Sequence, residues 1–556
     1  MISSYRIKMK YIFILLVFFL FHCKSPEIQN VCDPTTESFI VNEILLFAFG
    51  NNASPCLRPP ARVQPSTPRK WVQEAYIKAP NAESGDQVGF SVAISGDTLV
   101  VGAPLEDSNQ TTITNGASAS VDNSISGSGA VYVFLRNVDS WTQQAYIKAP
   151  NVDAGDRFGN SVAISGDTIV VGANFEASNQ TTIINGTTAS ADNSSAQAGA
   201  AYVFTRNGST WSQQAYLKAP NVGTGDRFGE SVAISGDTIL VTAPFEDSNQ
   251  TTIINGTGAS IDNSASNAGS AYVFVRSGST WSQQAYLKAS NAGADDLFGR
   301  AVAISSDTVV VGARGEDSSQ ITITNGNSAS SDNSAIDAGA AYVFVRNGST
   351  WSQQAYLKAP NTAAISAFGT YVGIDRDTIV VGAPLEDSNQ TTITNGSSAS
   401  SDNLAIDAGA VYVFVRSGST WSQQAYIKAS NALAGARLGP VSIEGDTIVA
   451  AANFEASNQT TITNGNSASS DNSKPQAGSA YIFTRKGTMW TQEAYLKASS
   501  VDSFDEFGYS VSISADTVVA GVPFEDSNQT IISNETTTSS NNSAPEAGAV
   551  YVFVRK

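Results

Sequence analysis

The tryptophans of this chain stand at Trp71, Trp141, Trp211, Trp281, Trp351, Trp421 and Trp490, spaced by 70 residues at every step but the last, which is 69. A fixed period of this kind means that one supersecondary unit is repeated and that each copy buries its apolar surface against its neighbours. The period therefore constrains the fold more tightly than length does. In the second unit four stretches have strand character: FGNSVAIS from Phe158, DTIVVGA from Asp167, AGAAYVFTR from Ala198 and WSQQAYLKA from Trp211. Their wealth of Gly, Val, Ile, Thr and Tyr, with frequent turn residues between, argues against a helical solenoid. Four short strands per unit predict a propeller blade.

The phase of the repeat adds a closure rule. The repeats begin with a lone Trp strand, residues 71–79, and end with three strands of an unfinished unit that runs from Phe507 through Asp516 to Val554. The first strand supplies what the last unit lacks. The expectation is an all-β, seven-bladed propeller of four-stranded antiparallel blades over residues 71–556, its ring closed by the N-terminal Trp strand pairing with the last blade. The DTIVVGA stretch, without polar alternation, reads as an inner strand covered on both faces. The Trp stretch alternates, with Ser212, Gln214, Tyr216 and Lys218 on one face. It reads as an exposed outer edge, where Gln and Lys discourage pairing with another chain.

Phe-Gly opens the unit at Phe158, Phe228, Phe298, Phe368 and Phe507, and Gly-Ala-Pro follows at Gly102–Pro104 and Gly382–Pro384. Degenerate copies such as Leu438-Gly439 and Gly172-Ala173-Asn174 fill the rest. These residues resemble the FG-GAP repeats of integrin α-chain propellers and of a widespread bacterial repeat family. The resemblance implies a β-propeller fold. In integrins several repeats carry a calcium loop between the first two strands. Here that connection is Ser-Gly-Asp-Thr, as at Ser95–Thr98, Ser165–Thr168 and Ser235–Thr238, a tight hairpin. One carboxylate cannot supply the roughly six to eight oxygens that calcium takes, so no metal is expected at the family's calcium hairpins.

Length reappears between the second and third strands as a polar insert of about 25 residues, a size usual for functional or disordered loops. Each insert has a glutamate at one equivalent place: Glu106, Glu176, Glu246, Glu316, Glu386, Glu455 and Glu525. An Asp-Asn pair follows in six, beginning at Asp122, Asp192, Asp262, Asp332, Asp402 and Asp471, with Asn541-Asn542 in the seventh. Two readings stand: these oxygens hold a divalent cation such as Ca2+ within each loop, or they cap turns and bond local backbone amides. The second is favoured, because no compact loop motif is present. The inserts and the loops that lead into each blade should share one face, the expected binding surface. The lead-in loops carry an acid at Asp86, Asp156, Asp226, Asp296 and Asp505, whereas 361–367 and 431–437 have none. That neighbouring pair is the candidate contact region.

Ahead of the repeats, Arg6, Lys8 and Lys10 precede an apolar run over 11–21 that is shorter than the roughly 20 residues a spanning helix needs. Residues 1–22 read as a signal peptide. Leu20-Phe21-His22-Cys23 resembles a bacterial lipobox, which implies lipid attachment at Cys23; an ordinary secretory signal is the alternative. Residues 23–70 are then a lipid-anchored segment with a Pro-rich linker, in which Cys32 and Cys56 form a candidate disulfide that export permits. The expected location is the outer membrane or cell surface, with the membrane contacted through the lipid alone. The net charge of −18, made more negative by loss of the three basic leader residues, disfavours nucleic acid as a partner. With His22 the only histidine and every other group repeated from unit to unit, no singular catalytic constellation stands out. The expectation is a monomeric, non-enzymatic binding or adhesion scaffold without a cofactor, whose partner is a protein or matrix ligand; a carbohydrate-binding propeller and an inert surface coat are the alternatives.

Overall fold

The Ser-Gly-Asp-Thr turn sets the local geometry. Ser165 pairs with Thr168 across two residues, with Gly166 at φ 56°, and so links Ser161–Ser165 to Thr168–Ala173. That corner favours glycine, yet Arg376 and Ala515 hold it in other units at φ 51° and 52°. The flanking strands evidently impose the turn. The computed structural model describes residues 69–556 apart from 501, 537 and 540, with Lys70–Lys556 as one compact unit. The leader, Cys23, Cys32, Cys56 and the Pro-rich linker lie outside the described residues.

From the hairpin each sheet grows outward. Ala200–Asn207 pairs with Thr168–Ala173, and Thr210–Leu217 pairs with Ala200–Asn207, all antiparallel. A two-residue strand from the insert, Ile184–Asn185, then pairs on the outer side of Thr210–Leu217. Six sheets have this five-stranded order. Their first strands neighbour one another around the central axis, so the sheets stand as blades of a ring. We number the blades 1 to 7 from the one that starts at Ser91–Ser95 to the one that starts at Ser510–Ser514.

Blade 7 closes the ring. Its sheet is Ser510–Ser514, Thr517–Val522, Ala549–Arg555 and, as the closure rule requires, Trp71–Ile77. Trp71 faces Arg555 and Ile77 faces Val550 in the register. Lys70 and Lys556 exchange backbone hydrogen bonds of 2.6 and 2.9 Å, so the two ends of the repeat region are tied together.

One expectation is overturned. The Trp strand is not an exposed edge: Trp211 and Lys218 are each 1% exposed, and Tyr216 and Leu217 are fully buried. The insert strand covers its outer side. A β-bulge opposite Val203/Phe204 also breaks the alternation, so Ala215, Tyr216 and Leu217 are buried in succession. A bulge inserts one unpaired residue and turns the strand, which two-residue periodicity in the sequence does not reveal.

Blades meet through two features of the repeat. Near the axis, a Cβ on Gly172 would collide with the carbonyl of Gly229 in the next blade, and Ser161 Oγ donates to that same carbonyl at 2.8 Å. The Phe-Gly of one blade thus seats on the Gly-Ala of the previous one. At the hairpin end, Arg206 lies over Trp211 at 5.1 Å and donates to Asp167 of its own hairpin. It also donates to Gln144 and Thr98 of the preceding blade, where Gln144 accepts Trp211 Nε1 as well, at 2.8 Å.

Candidate functional site

Opposite the hairpins, the inserts and lead-in loops lie against each other. Glu176 opens its insert and is 1% exposed. It accepts hydrogen bonds from Tyr216 Oη at 2.9 Å, Lys218 Nζ at 3.0 Å and Asn151 Nδ2 at 3.1 Å. Lys218 also donates to the Gly199 carbonyl at 2.6 Å, and Asn151 accepts Tyr202 Oη at 2.7 Å. One carboxylate therefore joins the insert, the lead-in loop and the Trp strand. Burial lowers the Lys218 pKa, with Glu176 acting against that shift. The same Glu–Lys pair recurs in every blade, as Lys148–Glu106, Lys288–Glu246, Lys358–Glu316, Lys428–Glu386, Lys497–Glu455 and Lys78–Glu525.

The aspartates of the Asp-Asn pairs are placed differently. Asp192 is solvated and accepts the backbone N–H of Asn179 and the hydroxyl of Ser194, both at 2.9 Å. The Asn179 amide holds its carboxyl below the usual range, and the Ser400 hydroxyl holds Asp402 down to about 2. Asp122, Asp332 and Asp471 accept the equivalent backbone amide, as does Asp262 at 3.3 Å. Among the described residues no group of three or more His, Cys, Asp or Glu gathers where a metal ion could be held.

The inserts are built into the ring. Asn185 of the blade 2 insert accepts the backbone N–H of Trp281 in blade 3 at 2.7 Å and donates to its carbonyl at 3.1 Å. This amide clasp occurs at every junction, including Asn464 on Trp71 and Asn534 on Trp141 across the seam. The lead-in aspartates are buried and brace their own loops: Asp156 accepts the Asp153 amide at 3.1 Å. Burial pushes Asp86 and Asp156 up to about 8, and Asp226, Asp296 and Asp505 up to about 7.

All of these groups repeat. What differs from blade to blade is the axis. The residue after Phe-Gly, or its counterpart, is Phe90, Asn160, Glu230, Arg300, Thr370, Pro440 and Tyr509, seven different side chains along the channel. The channel widens between blades 4 and 7 into a cavity of about 390 Å³. Arg300, Arg314, Arg437, Tyr371 and Tyr509 line it, with Phe454, Phe524, Pro384 and Leu385 as its apolar wall. The two lead-in loops without an acid end at this rim, at Ala367 and Arg437. Sequence reasoning did not single out the axial position, although seven different residues among near-copies is a signal readable without coordinates.

The charges of the cavity are unevenly matched. Arg300 pairs with Glu230 at 2.6 Å, and Asn174 donates to the other Glu230 oxygen. Arg437 lies over Phe454 at 4.4 Å, 3.6 Å from Asp407. Glu506 accepts from Asn453 at 2.7 Å, and burial raises its pKa. Burial also raises the Tyr371 phenol, with Arg300 opposing. Tyr509 packs against Phe90 and edge-on to Phe524, at 5.0 and 5.8 Å.

The family model described as "FG-GAP repeat" matches six segments, 71–134, 141–204, 211–274, 281–344, 351–414 and 490–553, well over half of the chain. The chain belongs to the FG-GAP repeat family. The unmatched unit, 421–484, is the one that supplies Arg437, Asn453 and Phe454 to the cavity. No curated protein matches the chain. Among solved structures the FG-GAP propeller is similar to a putative 6-phosphogluconolactonase from Bacteroides uniformis ATCC 8492. That likeness has 10% identity over 74% of this chain and 86% of the other, with a TM-score of 0.38. At that score it bears no argument about activity. An FG-GAP propeller is consistent with a binding scaffold.

Proposed function

We propose that this FG-GAP propeller is an exported binding module, held to a membrane by lipid at Cys23, that recognises a protein or matrix ligand on its insert-bearing face, at the axial mouth. The observation that carries this reading is the axial position itself. Framework residues are copied seven times, while Phe90, Asn160, Glu230, Arg300, Thr370, Pro440 and Tyr509 all differ. Seven copies of a surface give seven equivalent weak sites, whereas one irregular mouth gives a single specific one. Recognition of this kind needs a concave apolar wall with a few placed polar groups, and the cavity has both. The groups repeated in every blade are committed to framework bonds, which favours binding over catalysis.

The test is a cross-linking pull-down from the cell surface with mature protein, with and without chelator, beside the triple variant Arg300→Ser/Tyr371→Ser/Tyr509→Ser. Recovery of a partner that the variant loses is the expected result; equal recovery by both refutes the axial reading. Failure of lipid labelling to depend on Cys23, in a Cys23→Ala comparison, refutes the anchor. A carbohydrate ligand is the second reading, favoured by the four aromatic side chains at the cavity, Tyr371, Phe454, Tyr509 and Phe524. A glycan array separates the two.

A further inference from the structure

Arginines elsewhere in the propeller are matched to partners. At the hairpin end Arg206, Arg276, Arg346, Arg416 and Arg485 each bond the hairpin aspartate of their own blade. On the insert face Arg157 and Arg227 lie over Phe175 and Phe245 at 4.2 and 4.3 Å. Arg314 differs from all of these. It stands where blades 1 and 5 have the proline of Gly-Ala-Pro, and it makes no ion pair or hydrogen bond with any described residue. Its Nε is buried and without a partner, and so is the Nε of Arg437 across the same cavity.

A buried guanidinium nitrogen without an acceptor is costly, and a planar guanidinium is suited to holding a carboxylate or phosphate in two parallel hydrogen bonds. The one carboxylate lining the cavity, Glu506, is engaged by Asn453. Beside these nitrogens stand the Tyr371 ring and the Phe454 and Phe524 rings, with Pro384 and Leu385. The volume of about 390 Å³ lies toward the lower end of the span of small-molecule sites.

We propose that the axial cavity between blades 4 and 7 binds a small ring-bodied organic anion, its carboxylate or phosphate held by Arg314 and Arg437 and its ring against Tyr371, Phe454 and Phe524. This rests on the axial mouth being the recognition site, and it names the chemical class that site takes. An acidic sugar is the form in which a matrix ligand would present such a group.

Isothermal titration of mature protein with glucuronate, glucose, benzoate, phenyl phosphate and acetate tests it. Binding of glucuronate, benzoate or phenyl phosphate, with none for neutral glucose and weaker binding for ringless acetate, is the expected pattern. Comparison of glucuronate with benzoate and phenyl phosphate tells a sugar ring from an aromatic one and a carboxylate from a phosphate. Arg314→Ala should weaken the anion at least tenfold, and Arg314→Lys should restore part of the loss. Unchanged thermal unfolding of both variants shows that the fold is kept. No binding of any anion, or equal affinity in Arg314→Ala, overturns the proposal. If the pull-down partner is still lost in the axial triple variant while no anion binds, the anion assignment alone falls and recognition at the mouth stands.

Discussion

Lys78 offers the sharpest test of how the ring is closed. Its Nζ lies 2.9 Å from Glu525 Oε2 and 2.7 Å from the Gly548 carbonyl, while Tyr76 Oη donates to Glu525 Oε1 at 2.6 Å. The Lys78 and Glu525 side chains are 0% and 5% exposed. Within the other blades the same pair joins residues 42 apart; here it joins residues 447 apart. Lys78→Met leaves a buried carboxylate without its counter-charge, a change that costs about 3–5 kcal/mol. Lys218→Met should cost a similar amount, because its surroundings are the same. The difference lies in what comes loose. Loss of Lys78 weakens the strand that closes the ring, so Trp71–Ile77 should become open to limited proteolysis, whereas Lys218→Met should leave that strand protected. Urea titration followed by circular dichroism gives the stability change. The double variant Lys78→Met/Glu525→Leu should recover most of the loss, since replacing a whole buried pair by apolar groups is often near neutral. A Lys78→Met stability within about 1 kcal/mol of the parent, or a double variant no more stable than the single, would refute the reasoning.

Three further outcomes follow from the framework. The lead-in aspartates have folded-state pKa values of about 7 to 8, above the ordinary 3.8, so the folded chain holds more protons there than the unfolded one. The stability they contribute is complete below the unfolded value of 3.8 and is lost progressively until pH passes the folded values of about 7 to 8, so the melting temperature should fall between about pH 4 and pH 8 and level off above; Asp156→Asn should flatten that slope, and an unchanged slope would count against the buried-carboxyl reading. Asn185→Ala strips both amide bonds from the Trp281 backbone and should cost about 1–3 kcal/mol, seen as faster hydrogen exchange at Trp281 in blade 3; unaltered exchange there would show that the clasp carries no load. Gly172→Ala drives a methyl into the Gly229 carbonyl and should destabilise by about 3 kcal/mol, whereas Gly166→Ala, with nothing within 4 Å of the added carbon, meets only the strain of a φ of 56°, about 1 kcal/mol; a Gly172→Ala loss no larger than that of Gly166→Ala in urea titration would refute the close-contact account.

The blade count, the four main strands of each blade and the closing strand were legible because all three are questions of spacing. Seven tryptophans, an incomplete last unit and a surplus first strand leave one way to finish the ring. The outer side of the blade was not legible. Gln214 and Lys218 look like solvent-facing residues in an alternating strand, but a bulge displaces the register and Glu176, reaching in from an insert, gives Lys218 a buried counter-ion. Long-range pairing of that kind leaves no local pattern. The inserts have composition typical of loose loops, yet Ile184–Asn185 adds a strand and Asn185 grips the next blade. The lead-in loops without an acid did point toward the cavity through Ala367 and Arg437, whereas Arg314 was hidden by its place in a motif read as framework.

The amide clasp has a consequence for how such a ring can change over generations. Each hook reaches forward only, from the insert of one unit to the Trp backbone of the following unit, so the joints between blades all have the same polarity. A duplicated 70-residue unit arrives with both its own hook and a receptor for the hook behind it, and it can be spliced in at any junction without redesign of its neighbours. A partial unit would leave one hook idle and one receptor empty. Growth and loss are thereby favoured in whole blades, and near-identical framework can persist while the axial residues, which take no part in the amide clasps, are free to diverge.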